Sequence, residues 1–308
     1  MSSATTARFA PPERAQEVSD GIFAWIQPDG SWWINNTGFL VSSTGVVSID
    51  SCSTVDRTRA YLRSIAFVTD LPVRTLVNTH HHGDHTFGNH LFTTATVVGH
   101  ENVRPALQAW GLPRSEPFWT PVDWGEVRLA PPTLTFRDHV DLWVDDLRCE
   151  VRHFGRAAHT DNDSVVWVPE RRVLFSGDLL FNGGTPFLLQ GSVVGACRTI
   201  EDLRALGPET VVPGHGPVCG PDALDAATAY LDFVLDLARA GRSAGLTPLE
   251  LAQETDLGEF AELIDHERIV GNLHRAYADL DGRTEVDLAG ALEDMVTYNG
   301  GRPLTCLA

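Results

Sequence analysis

The stretch that decides the fold runs Val73-Arg74-Thr75-Leu76-Val77-Asn78 and then Thr79-His80-His81-His82-Gly83-Asp84-His85. The first six residues are short, apolar and β-branched, the signature of a buried strand. The next seven open a loop in which His80, His82, Asp84 and His85 stand close together. On an extended backbone residues two apart point the same way, so His80 and His82 converge. Gly83 is expected to let the chain turn, bringing Asp84 and His85 to the same side. Imidazole nitrogen and carboxylate oxygen are the donors zinc prefers when no thiolate is offered. A histidine-rich surface turn is the plain alternative. His81 should point away from its neighbours and is read as a non-ligand.

Three later segments each place one further donor just past a strand. Ala158-His159-Thr160-Asp161 follows a strand ending at Phe154. Ser176-Gly177-Asp178 closes a strand beginning at Arg172. Pro213-Gly214-His215-Gly216-Pro217 follows Val211 and Val212. Each alone reads as a hydrogen-bonded histidine or a Gly-Asp turn. Taken in order with the first cluster they form a set of seven: His80, His82, Asp84, His85, His159, Asp178 and His215.

Strands and helices alternate around this set. Ile22 to Gln27, Trp33 to Val41 and Gly45 to Asp50 read as strands, and Asp56 to Val68 as a helix capped by Thr54. Glu101 to Trp110, Thr199 to Leu206 and Pro221 to Ala240 read as helices. Residues 111–132 are rich in Pro, Trp and Gly, and long irregular loops of this kind are often functional. Residues 1–20 read as a loose arm, and 247–297 as helical almost throughout. The pattern predicts two mixed sheets with helices outside: a catalytic domain over 1–240 and a helical C-terminal extension over 241–308.

The chain has 308 residues and a net charge of −18, which disfavours contact with phosphate backbones, so no nucleic-acid partner is expected. Its five cysteines, Cys52, Cys149, Cys197, Cys219 and Cys306, are scattered and lack C-x-x-C spacing, as expected of buried thiols in a reducing compartment. No basic segment followed by an apolar run opens the chain, and no stretch of about 18 apolar residues occurs. A cytoplasmic location without membrane contact is expected, with a homo-oligomer left open.

The order H-x-H-x-D-H (His80 to His85), then His159, Asp178 and His215, resembles the metallo-β-lactamase superfamily over roughly residues 20–240. The resemblance implies an α/β fold, an αββα sandwich with the site at one edge. It implies one metal on His80, His82 and His159, a second on Asp84, His85 and His215, and Asp178 between them. Asp50, at a strand end, resembles the family's aspartate that orients a ligand histidine; a plain turn residue is the other reading. Two Zn2+ ions suit the nitrogen-rich donors, with iron or manganese as open alternatives. Such a pair acidifies water and polarises carbonyl oxygens.

Further segments narrow the likeness: Val122-Asp123-Trp124-Gly125-Glu126, residues 132–138, Gly183 to Ser192, and Tyr298 to Ala308. Together they are similar to the metallo-β-lactamase-type cyclases of bacterial aromatic polyketide synthesis. That similarity implies an intramolecular aldol condensation closing a further ring of a partly cyclised poly-β-ketone, with thioester hydrolysis from an acyl carrier protein as an accompanying step. Hydroxide or Asp84 is the candidate proton acceptor. The alternative is a zinc-dependent hydrolase of thioesters, lactones or lactams. Trp32, Trp33, Trp119, Phe181 and Phe187 are large aromatics that either fill the core or line a pocket; Trp119, Phe181 and Phe187, in apparent loops, are the pocket candidates. Docking an acidic carrier would need a basic patch, for which Arg104, Arg114, Arg171 and Arg172 are the candidates.

Overall fold

A computed structural model describes residues 12–113 and 118–308. Among them the first sheet takes its strands in chain order: β1 (Gln16–Ser19), β2 (Ile22–Trp25), β3 (Thr37–Val41), β4 (Val46–Ile49), β5 (Val73–Val77), β6 (Thr96–His100) and β7 (Leu134–Phe136). The pairs up to β3–β4 are antiparallel and those from β4–β5 onward are parallel. The second sheet contains β8 (His139–Val144), β9 (Leu147–His153), β10 (Ser164–Val168), β11 (Val173–Phe181) and β12 (Thr210–His215), antiparallel except for the parallel pair β11–β12.

Side-chain alternation along the strands builds the layers. In β3, Phe39 faces outward onto Tyr61, Ala60 and Ile65 of α1 (Val55–Val68), while Leu40 faces inward. In β10, Val166 and Val168 join Leu40, Ile49, Val77 and Val212 between the two sheets. Val165 and Trp167 point the other way, into a cluster with Leu203 of α4 (Val193–Leu206) and Val234 of α5 (Asp222–Ala244). The result is helix, sheet, sheet, helix, the αββα sandwich expected from the sequence. The remaining helices are the single turn α2 (Gly83–Thr86), α3 (Val103–Trp110), α6 (Pro248–Glu254), α7 (Arg268–Leu280) and α8 (Leu288–Tyr298). Ile269, Leu273, Leu292 and Met295 of the C-terminal helices enter the same cluster as Val165 and Leu203, and α5 runs without a break across residue 240.

Several elements depart from the sequence reading: β3 begins at Thr37 rather than Trp33 and α3 at Val103 rather than Glu101, and two further departures have a clear cause. Helix α4 begins at Val193, six residues before the expected Thr199. Its opening, Val-Val-Gly, has poor helix propensity, and its free N–H groups are satisfied from elsewhere. The Ser192 hydroxyl accepts from Gly195 N at 2.9 Å, and the Asp279 carboxylate accepts from Val193 N at 2.7 Å. Strand β11 does not stop at Asp178 but continues to Phe181, because β12 runs parallel alongside it as far as His215. Among the described residues, no helix is long and apolar enough to cross a membrane. Residues 1–11 of the expected arm, and Arg114, lie outside the described residues; the arm's last part forms β1.

Candidate metal centre and the slot beside it

Strands β4, β5 and β12 end at one edge of the sandwich, and β11 passes along it. Asp50 follows β4, the 79–85 segment follows β5, Asp178 lies within β11, and His215 closes β12. His159 comes from the loop between β9 and β10. All seven expected donors are brought together and buried, most of them nearly completely, with His82 partly buried. They fall into two groups that share Asp178: His80, His82, His159 and Asp178, and Asp84, His85, Asp178 and His215. In each group the donor atoms lie within 4.8 Å of one another.

Gly83 opens the single turn α2, which carries Asp84 and His85 into the donor set, and a Cβ there would sit 2.4 Å from the Phe87 ring. Its lack of a side chain is required by close packing. Gly214 is needed for a similar reason: a Cβ would lie 1.9 Å from Asp178 Oδ1, so β12 can approach the shared carboxylate only as glycine.

Every candidate ligand histidine is held by its outer nitrogen, leaving the inner one to face the donor set. His85 Nδ1 donates to Asp50 Oδ2 at 2.8 Å, and His215 Nδ1 to the Gly30 carbonyl at 3.1 Å. His159 Nδ1 donates to the Phe187 carbonyl. His82 presents Nδ1 inward because its Nε2 donates to Gln190 Oε1 at 2.6 Å. His80 Nδ1 donates to Thr79 Oγ1 at 3.0 Å, whose hydroxyl donates to Asp50 Oδ2 at 2.7 Å. Asp50, at φ 59°, thus supports one histidine of each group. His81 turns away onto Asn162, as expected.

The inner faces fit cations. His85 Nε2 stands 3.1 Å from Asp178 Oδ1, and His215 Nε2 stands 3.3 Å from both Asp84 Oδ2 and Asp178 Oδ2. His82 Nδ1 and His159 Nε2 approach to 2.8 Å. Yet His80 Nε2, His85 Nε2 and Asp178 Oδ1 have no hydrogen-bond partner, although buried. An unmade bond at a buried polar atom costs about 1–3 kcal/mol, and so many lone pairs turned on one another make sense around positive ions.

Charge states differ between the two groups: burial would lower His85 and His215, but Asp178 and Asp84 outweigh it, raising His85 well above the usual imidazole range and His215 to about 9. Burial, and then the neighbouring histidines, push His80 and His82 well below the usual imidazole range, so both offer lone pairs. Burial would raise Asp84, but His85 and His215 outweigh it and hold the carboxyl at about 2. Asp178 is held down in the same way, with His215 and His85 outweighing burial. Burial pushes the Asp50 carboxyl up; His85 and the Thr79 donors offset part of that.

Replacing Asp50 with Ala is therefore expected to weaken zinc binding at both positions by about 10- to 100-fold. Competition against a chromophoric chelator measures this, and an unchanged affinity would show that Asp50 orients neither histidine.

The donors open into an aromatic slot. Trp32, Trp33, Trp119, Phe181 and Phe187, the five aromatics singled out in the sequence, all line it. They also pack on one another: Trp32 meets Trp119 at 5.7 Å and Phe187 at 5.0 Å, and Phe181 stacks on His215 at 5.0 Å. Core and pocket prove to be the same residues. Trp110, Gln190 and Arg268 line the slot too, and the sequence reading missed them. The slot adjoins a cavity of about 680 Å³ between residues 109–113 and 118–124 on one side and Leu288, Leu292 and Pro303 on the other. The chain's last residues return to this loop: Leu304 bridges Trp119, and Thr120 Oγ1 donates to the Cys306 carbonyl at 3.1 Å. Of the basic candidates, Arg104 is spent on the Pro132 carbonyl and Arg172 on Gly207 and Glu209.

Comparison with known proteins follows the same lines. A sequence model described as the Metallo-beta-lactamase superfamily matches residues 30–215. A linear primary-alkylsulfatase of Pseudomonas sp. is 25% identical, over 69% of this chain and 48% of its own length. A hydroxyacylglutathione hydrolase of Rhodospirillum rubrum is 28% identical, over 55% of this chain and 57% of its own. An acyl-coenzyme A thioesterase of Bos taurus is 28% identical, over 68% and 83% respectively. The chain thus spans only about half the length of the two bacterial relatives. In structure it is similar to a metallo-beta-lactamase from Pontibacter korlensis, with a TM-score of 0.59 and 21% identity over 71% of this chain and 98% of that one. At that identity the likeness is one of fold.

Proposed function

The chain belongs to the metallo-β-lactamase superfamily, whose model covers residues 30–215, and from that premise we propose that it is a two-metal hydrolase of thioesters carrying flat, apolar acyl groups. One observation carries the reading: two donor groups sharing Asp178 open directly into an aromatic slot. The relatives named for acyl-coenzyme A and hydroxyacylglutathione chemistry point the same way.

His80, His82 and His159 would hold one cation, Asp84, His85 and His215 the other, and Asp178 would touch both. When bound, the pair supplies Lewis acidity toward a carbonyl oxygen and toward water. The chain's own residues do the rest. Trp32, Trp33 and Phe187 exclude bulk water and hold a planar group against the edge of the donor set. Gln190 fixes the His82 ring. Asp84 borders the slot and is the proton acceptor in this scheme. In this scheme Asp84 takes the proton from the reacting group and passes it on.

The ring-closing reading, a cyclase of aromatic polyketides, uses the same donors. It is favoured by the aromatic walls, which suit a folded poly-β-ketone, and would add enolate attack on a second carbonyl to the chemistry of the slot. Whether that substrate arrives on an acyl carrier protein or free belongs to the same proposal.

The test uses zinc-loaded protein with 2-naphthoyl-coenzyme A and acetyl-coenzyme A, following free thiol with and without chelator. Chelator-sensitive release from the naphthoyl thioester, at least about tenfold faster than from the acetyl one, is the expected result. No release from either would overturn the hydrolase reading. The ring-closing reading then stands or falls on mass spectrometry of a minimal aromatic polyketide synthase run with and without the protein, where an unchanged ring pattern sinks it.

A further inference from the structure

Among the candidate ligand histidines, His215 has the longest outer hydrogen bond. His85 is held by a carboxylate at 2.8 Å and His82 by Gln190 at 2.6 Å, whereas His215 Nδ1 meets the Gly30 carbonyl at 3.1 Å. One hydrogen bond at the edge of an imidazole leaves the tilt of the ring about that bond open. The face of the ring supplies the second restraint. Phe181, the last residue of β11, lies on His215 with centroids 5.0 Å apart and planes within 7°. It meets His159 of the other donor group at 6.0 Å and a tilt of 54°, so it stacks on His215 alone of these two. An imidazole that gives its lone pair to a cation becomes electron-poor, and the negative face of a benzene ring suits it.

Phe181 has Arg268 beside it. This residue opens α7, outside the span 30–215 that the superfamily model matches, yet it is only 1% exposed and lines the slot. Its guanidinium lies 5.3 Å from the Phe181 ring and 4.1 Å from the Trp32 ring. Two acceptors clamp it: the Thr185 carbonyl at 2.9 Å and Asp265 Oδ2 at 2.8 Å. The segments that carry these acceptors are themselves paired, since Thr185 N donates to the Ile264 carbonyl at 3.0 Å and Ile264 N to the Gly183 carbonyl at 3.2 Å. Trp32 is anchored as well, its Nε1 donating to Glu267 Oε1 at 2.7 Å. A planar, forked cation with both prongs used cannot swing away from the rings it covers. A buried ion pair contributes little or nothing over apolar packing of the same volume, so stability alone does not explain an arginine here.

We propose that Arg268 is a positioning residue of the metal centre: clamped by Thr185 and Asp265, it fixes the ring of Phe181, and Phe181 fixes the ring plane of His215. The helical C-terminal part of the chain thereby reaches the donor group of Asp84, His85, Asp178 and His215. Charge and position act in opposite senses here. A bare guanidinium near a dication would weaken its binding, but the Asp265 carboxylate at 2.8 Å offsets that charge. Positioning is therefore the larger effect, and removing Arg268 weakens the site rather than strengthening it. The proposal rests on the two-cation reading of the donors and on nothing about the substrate.

The test is stepwise zinc titration against a chromophoric chelator, which reads both sites without turnover. Arg268→Met is expected to weaken one zinc by about tenfold and to leave the other within about twofold. Phe181→Leu, which keeps Arg268 and removes the stack, should also weaken one site alone. The double variant decides how Arg268 acts: an effect that passes through Phe181 makes the double loss equal to that of Phe181→Leu by itself. The cobalt-loaded chain gives an independent view, since its visible d–d bands should change shape in each single variant. Arg268→Met leaves Asp265 buried without its cation, so Arg268→Met combined with Asp265→Asn takes its place if the single variant fails to fold. A parent chain that takes up fewer than two zinc ions would sink the two-cation reading and the proposal with it. Two sites that both ignore Arg268, equal weakening of both, tighter zinc in Arg268→Met, or additive losses in the double variant would each overturn the proposal alone.

Discussion

Asp178→Ala is expected to cut chelator-sensitive thioester turnover by at least about 10³-fold and to leave the purified chain with one bound metal or none. The reason lies in its position. Asp178 belongs to both donor groups, and its two oxygens stand 3.1 to 3.8 Å from the inner nitrogens of His80, His85, His159 and His215. Removing any one imidazole leaves the other group complete; removing Asp178 depletes both. It also deletes an anion from the midst of several imidazoles and leaves Asp84 as the remaining carboxylate of the donor set. Asp178→Asn separates the two effects, since it keeps the volume and loses the charge. Metal content by mass spectrometry and thiol release by absorbance give independent readouts. Full metal loading with activity within tenfold of the parent would show that the shared carboxylate is not the link between the groups.

Much of this site was legible because strand periodicity and strand ends are local properties. His80 to His85 follow a short β-branched run, and the donor types and their spacing can be read within that one segment, although Asp50 and Gln190 fix the rings from far along the chain. His159, Asp178 and His215 were found by order, each one just past or on a strand. Asp50 was readable only through the family resemblance, since a residue at a strand end reads equally well as a plain turn. What escaped the sequence is long-range. Arg268 meets Thr185 across 83 residues, and Trp32 meets Glu267 across 235. No local pattern marks an arginine on an amphipathic helix as part of a slot. Gln190 carries no chemical signature until His82 stands beside it. The early start of α4 was invisible for a related reason: its Val-Val-Gly opening argues against a helix, and the group that overrides this, Asp279, lies 86 residues away. The aromatics illustrate a false choice, because Trp32 is at once packed in the core and a wall of the slot.

The reach of Asp279 has a thermodynamic consequence. Its Oδ2 accepts from Ser192 Oγ at 3.0 Å, Val193 N at 2.7 Å and Val194 N at 3.3 Å, which satisfies donors that open α4 and places a negative charge at its N-terminus. Its Oδ1 pairs with Arg275, whose side chain is nearly buried and donates also to the Thr284 and Arg283 carbonyls. Ser192 N in turn donates to the Ala158 carbonyl, next to His159. Asp279→Ala therefore strands a buried cation and uncaps a helix that abuts a ligand loop. Breaking a buried pair from one side costs about 3–5 kcal/mol, and this variant is expected to lose that much in urea unfolding, in one transition. A single transition follows from the shared packing of Leu203, Val234, Leu273 and Met295 in one cluster. The double variant Asp279→Ala with Arg275→Met should recover part of the loss, since the stranded charge is then gone. A shift below about 1 kcal/mol, or two transitions with the C-terminal helices melting first, would mean that α7 rests on the sandwich without holding the His159 loop in place.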